Sequence, residues 1–200
     1  MEHSNINAGL FGKPITNETL AAMPKFAGKE MGRQERADEA FAAMYKDHKK
    51  SKAIEFVKEL KREYGDGVST LCLIDNATGD AITCVGDHDW RGHLEKVPYP
   101  PRIGNGQWAA FLHVKNAAEA RGSEGAIVYR GQNESGIKCD FMQCWYNPWD
   151  LRANRAAYSE VREENHFKEP TFWDIVYNKL TRSPLNHIDI YNGCKSSVGI

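Results

Sequence analysis

The sequence predicts a mainly β protein: an antiparallel β-sandwich with an N-terminal helical extension and a short C-terminal helix. Three observations carry this reading. Apolar residues recur at helical spacing as far as Tyr64; beyond Gly67 the period falls to two, in short runs separated by Gly, Pro and Asn clusters; helical spacing returns only at residues 170–180. Runs of strands with turns between them, rather than strands alternating with helices, pair antiparallel. At 200 residues the chain has room for one domain with a sizeable core plus an extension. Residues 1–66 are assigned to the extension and 67–200 to the sandwich.

Residues 1–32 are rich in Gly, Pro, Asn and Met, and KPITNETLAAMP is their ordered piece: Thr16 is placed to cap a short helix through Ala22, stopped by Pro24. Residues 34–64 read as an amphipathic helix, with a break allowed near Ser51. Ala37, Phe41, Met44 and His48 fall on one face, as do Ala53, Val57, Leu60 and Tyr64, and Gly65 is the stop. The stripe is thin, and Glu35, Asp38 and Glu39 crowd its first half, so the helix is expected to pack on the domain rather than to lie in a membrane. VSTLCLI and DAITCV flank NATG as a hairpin; QWAAFLHV and GAIVYR read as half-buried strands, and IKCDFMQCWY as a longer one. PTFWDIVYNKL carries Phe172, Ile175, Val176 and Leu180 at helical spacing, a short helix expected to cover one sheet.

Charge and composition exclude several function classes. Lys+Arg number 26 against Asp+Glu 27, a net charge of -1, so no global positive field draws nucleic acid or anionic lipid. No apolar run approaches the ~20 residues of a membrane span, and MEHSNINAGLFGKP lacks the pattern of a secretory leader, which makes a cytoplasmic location the expectation. The five cysteines, Cys72, Cys84, Cys139, Cys144 and Cys194, form no CxxC pair and read as reduced thiols, although a hairpin centred on Thr78 would set Cys72 opposite Cys84. Asn17, Asn76 and Asn133 begin N-x-S/T triplets, which without secretion are not expected to be glycosylation acceptors, and turn chemistry accounts for at least two of them.

Two stretches concentrate chemistry. In CWYNPWD, strand alternation sets Cys139, Phe141, Gln143 and Trp145 on one face and Asp140, Met142, Cys144 and Tyr146 on the other. Pro148 cannot donate to a ladder and ends the strand, so Trp145 packs while Trp149 stands at the rim, a flat apolar surface for a sugar or quaternary ammonium with Asp150 as acceptor. GDHDWRGH places His88, Asp89, Trp90 and His93 in what reads as a loop, and with His113 these are candidates for a metal site or a general base. HxxxxH in a loop lacks the helical face of HExxH, so no metal or other cofactor is expected, and the histidines are read as turn or pocket residues beside Trp90. PRIGNGQW is a turn, since a phosphate loop needs a Lys-Ser/Thr pair and a following helix. No GxSxG occurs and no serine has an evident histidine partner, so nucleophilic catalysis has no positive support.

GKPITNETLAAMP, YGDGVSTLCLIDNATGDAIT, HDWRGH, VPYPPRIGNGQWAAFLHV, GAIVYRG and IYNGC together resemble the 23 kDa jasmonate-induced proteins of plants, over nearly the whole chain. That family is defined by induction in stress and defence and implies no particular reaction. IDNATGD, KVPYPPRIGNGQ, GSEGAIVY and the strand ending in NPWD also resemble, in that order, the sandwich of actinoporins and fungal fruit-body lectins. In actinoporins a proline-aromatic-aspartate element leads into an aromatic cluster that holds a phosphocholine headgroup. Pro148, Trp149 and Asp150 match the element; LRANRAAY follows it, leaving Tyr158 as the nearest further aromatic. The resemblances imply a defence-related, lectin-like binding protein that takes a carbohydrate or small polar headgroup, with Trp90, Tyr146, Pro148, Trp149, Asp150 and Tyr158 as ligand residues. An enzyme using His88, Asp89, His93 or His113 is the alternative, with membrane action behind it. Neither nucleic acid nor a membrane is the expected partner, and self-association is left open.

Overall fold

The computed structural model describes residues 8–150 and 152–200. Two antiparallel sheets face each other. In the first, β6 (Trp108–Val114) pairs on one side with β2 (Ser69–Asp75) and on the other with β1 (Leu10–Phe11) and β4 (His93–Leu94). The second has the order β5 (Arg102–Ile103), β3 (Ile82–Arg91), β7 (Ser123–Gln132), β8 (Lys138–Asn147), β9 (Ala156–Glu163). A further hairpin of β10 (Asn186–Tyr191) and β11 (Cys194–Gly199) turns on Asn192 and Gly193, both at positive φ, the backbone that an Asn-Gly turn supplies.

Helices close both outer faces. Thr16 caps α1 (Asn17–Ala21) with a reciprocal bond to Thr19, as its sequence predicts. The long helix divides into α2 (Arg33–Ala42) and α3 (Lys49–Tyr64), and the break falls at residues 43–48, where Asp47 and His48 take positive φ, rather than near Ser51. Ala53, Val57 and Leu60 of α3 are buried against Trp108, Ala110, Leu112 and Val114, while Gly65 at φ 82° ends the helix. In α2 the buried residues are Glu39 and Ala40, and Phe41 is 69% exposed. The predicted stripe of Ala37 and Phe41 is therefore rotated, because the chain bends at residue 43 and α2 docks separately with Ala40 and Ala43 against Ile15 and Leu20. After β9, α4 (Thr171–Leu180) buries Val176 and Leu180 against Ala126, Val128, Met142 and Cys144 of the second sheet, with Trp173 and Tyr177 packed beside them; Ile175 is exposed.

Between the sheets lies the main core of Ile74, Ile82, Ile103, Phe111, Ile127, Tyr129 and Trp145. Strand β6 is thus covered on both faces and all seven of its residues are buried, where alternation had suggested a half-buried strand. The NATG connection also differs from the hairpin expectation. It carries the chain from one sheet to the other, since β2 pairs β6 and β3 pairs β7 and β5. Asn76 makes this arch: its Nδ2 donates to Asp80 O (2.8 Å) and Ile103 O (2.9 Å), and its Oδ1 accepts from Thr78 N–H and Thr78 Oγ1. Cys72 and Cys84 consequently sit in different sheets, both as free thiols. Gly79 is fixed by space as well as φ, because a Cβ there would meet Arg33 O at 2.4 Å.

Candidate ligand-binding rim

The rim at the end of β8 is built from strand chemistry. Asn147, the last residue of β8, donates from Nδ2 to Ser69 O (3.0 Å) and so ties the second sheet to the start of β2. Pro148 ends the ladder, and Gly122 lets the two chains meet: a Cβ on it would lie 2.2 Å from Asn147 O. Beyond this anchored corner Trp149 is 48% exposed, whereas Trp145, four residues earlier and facing the core, is 6% exposed. Lys115 Nζ stands 5.7 Å over the Trp149 ring and is itself held by the Asn116 and Glu119 carbonyls, each at 3.2 Å. Asp150 accepts from Arg152 N–H (3.0 Å), Nε (3.0 Å) and Nη2 (2.9 Å), bonds that hold its carboxyl below the usual range; the pair stands in solvent, where an ion pair adds little stability. The rim thus offers a flat ring with one cation over it, followed in the chain by an exposed carboxylate–guanidinium pair.

The other three predicted ligand residues lie under α4. Trp90 packs tilted on Tyr177 (5.3 Å) and edge-on to Trp173 (6.0 Å), and Tyr146 lies edge-on to Tyr177 (6.3 Å). Tyr158 Oη donates to Glu160 (2.5 Å) with its ring against His187. Most of this segment, predicted as a loop, is strand β3, and alternation sets Trp90 on the same helix-covered face as His88, with a register shift between Asp89 and Arg91 just there. Pro148, Trp149 and Asp150 alone of the six share the rim.

The histidines do not converge. His88 stacks on Trp173 at 4.7 Å and 3°; burial there lowers its pKa, against the opposing pull of Asp89, Asp87 and Asp174. His93 is at the rim, 3.0 Å from Asn116 Oδ1. His113 is fully buried between the sheets, where Nε2 donates to Asp89 Oδ1 (3.0 Å) and Nδ1 lies 2.8 Å from Ser123 Oγ. Among the described residues no group of three or more His, Cys, Asp and Glu side chains is placed to hold a metal. The serine partner that sequence reasoning missed is therefore present, because β6 and β7 face each other at this point. Ser123 and His113 both have 0% exposure and Ser123 also bonds Thr70 Oγ1 (2.8 Å), so the line of Ser, His and Asp is a polar strut between sheets without access for a substrate. Gly125 makes room for it: a Cβ there would lie 2.7 Å from the Trp145 ring and 3.2 Å from His113 Nε2.

At the opposite end, a cleft of about 820 Å³ separates the N-terminal segment from the NATGD and PRIGNGQW turns. Its polar walls bond one another. Arg36 donates to Gly79 O, Asn17 Oδ1 and Asp80 Oδ1 at 2.7–2.8 Å, and buried Asn105 donates to Ile15 O and Arg36 O while accepting from Gly79 N–H (2.9 Å). Three of the segments quoted for the plant resemblance, GKPITNETLAAMP, the NATGD turn and PRIGNGQW, meet here, held by side chains of Asn76, Asn105 and Arg36 that no spacing rule identifies.

Comparison with known proteins agrees with that resemblance. The family model described as "Nakanori-like protein" matches residues 11–200. The chain is 37% identical over 195 residues to the 23 kDa jasmonate-induced protein of Hordeum vulgare, covering 96% of this chain and 91% of that one. It is 29% identical over 119 residues to a jasmonate-induced protein homolog of Atriplex canescens, covering 58% and 62%. Its structure matches the crystal structure of the lipid binding protein Nakanori with a TM-score of 0.85 at 33% identity, over 94% of this chain and 91% of that one.

Proposed function

The chain belongs to the Nakanori-like protein family, and from that premise we propose that it is a stress-response binding protein that recognises a zwitterionic lipid headgroup at the Trp149 rim. The observation that carries this is the half-exposed Trp149 ring on an anchored strand end, with Lys115 over it and the Asp150–Arg152 ion pair next in the chain. Lys115 already occupies one side of the ring, so a headgroup ammonium takes the other, with its phosphate toward Lys115 and Arg152. The description of Nakanori as a lipid binding protein supports a lipid over a free sugar. A cytoplasmic location is part of the reading, with lipid met at the inner surface of a membrane.

The test is co-sedimentation with phosphatidylcholine and sphingomyelin vesicles run beside a glycan array. Saturable vesicle binding with an empty array supports the reading. Glycan binding without vesicle binding overturns it in favour of the lectin-like alternative, in which the same ring stacks on a sugar.

A further inference from the structure

The two sheets differ in width. The first ends at β2, which pairs only with β6 among the described residues, while β8 and β9 of the second extend past it. The overhang leaves a crevice of about 330 Å³, only partly filled by residues 198–200. Its walls are mainly apolar, with Cys72, Ile74, Phe111, Ile127, Trp145 and Val198 among them.

We propose that this crevice is a second binding site, for a single-chain aliphatic carboxylate of about ten carbons. Three observations converge on that ligand class. The volume lies at the small end of the ~300–1,000 Å³ range of ligand sites, and at about 30 Å³ per water-sized unit of a liquid it holds roughly eleven such units. The β2 residues Ser69 to Ile74 run along it, which at about 3.3 Å per residue gives roughly 16 Å of strand for a chain to follow. Trp145, 6% exposed, belongs to the lining, and its buried indole N–H has no acceptor among the described residues, a state rare in native interiors. Arg155 supplies the charge preference. It is the exposed cation of the lining and makes no ion pair among the described residues, so an arriving carboxylate meets an uncommitted guanidinium. A chain entering with its head at Arg155 lies against Ala157, the buried residue opposite Trp145.

The crevice abuts the rim at Asn147 and Ser69, which line it, but Trp149, Lys115, Asp150 and Arg152 are not among its lining residues, so decanoate binding is expected to be independent of vesicle binding. The experiment is an NMR titration of the full chain with decanoate, and with decanol as the uncharged probe. Saturable shifts are expected at Cys72, Val198 and the Trp145 indole N–H. Arg155→Ala should weaken decanoate about tenfold, the scale of one bond to a charged group, and decanol less than about twofold. Ala157→Leu, which fills the crevice, should abolish both; if that variant does not fold, Cys72→Met on the edge strand replaces it. Absence of saturable shifts at these positions up to millimolar decanoate overturns the proposal, as does decanoate binding that survives both substitutions unchanged. Trp149→Ala separates the two sites: it should impair vesicle binding and leave the decanoate titration as it was.

Discussion

Asp75 shows how a single residue reports its surroundings. Its Oδ1 is buried without a donor at the end of β2, and burial raises its carboxyl from 3.8 to about 6, with Lys49 and Lys50 pulling the other way. The folded state therefore keeps a proton that the unfolded chain releases near 3.8, so this group favours folding at low pH and the contribution is lost as pH rises to about 6. Asp75→Asn should remove that slope, the wild type losing stability relative to the variant between about pH 4 and pH 6. A carboxyl ¹³C titration midpoint near 6 agrees; one near 4 contradicts. Asn105 makes the converse case, a buried amide with all its partners inside. Asn105→Ala removes the side-chain partner of Gly79 N–H and of the Ile15 carbonyl and a second bond to the helical Arg36 carbonyl, and should cost about 2–4 kcal/mol in chemical denaturation. At this scale the division between Trp145 and Trp149 is legible, since alternation and Pro148 dictate it. The ties of Asn105 and the strut of Asp89, His113 and Ser123 are not, because each joins residues brought together only by the fold.

Among the elements, α3 is held by its Ala53, Val57 and Leu60 stripe on the first sheet, which the helical period announces directly. Leu60→Ala should destabilise by about 2–5 kcal/mol, the cost of a core cavity. For the same reason α3 is not expected to detach at a membrane: the protein should bind vesicles without releasing trapped dye at micromolar concentration, and dye release would contradict this packing. Period misled where neighbours decide. Phe41 lies outward because α2 and α3 are two helices, and Trp90 lies under α4 because its segment is strand rather than loop and shares the face of His88. The NATG segment carries hairpin composition, yet the Asn76 amide bonds shape it as an arch between sheets.

In the whole molecule four layers stack: α3, the first sheet, the second sheet and α4. The sandwich and its two helical covers were readable from the change of period, and the continuous apolar run AAFL was the available sign that β6 is covered on both faces. The unequal widths of the sheets left no sequence signal, since a free strand edge is a property of pairing. The same layering frees the rim from the core: Trp149 hangs from a corner already fixed by Asn147, so its removal should spare stability. Binding of the full chain and of Trp149→Ala to phosphatidylcholine and sphingomyelin vesicles is therefore the direct measurement. The account predicts saturable binding by the full chain and a loss of about 1–2 kcal/mol in the variant, roughly five- to thirty-fold in affinity, with the melting temperature nearly unchanged. Equal binding by the two proteins, or binding lost only together with the fold, would contradict it.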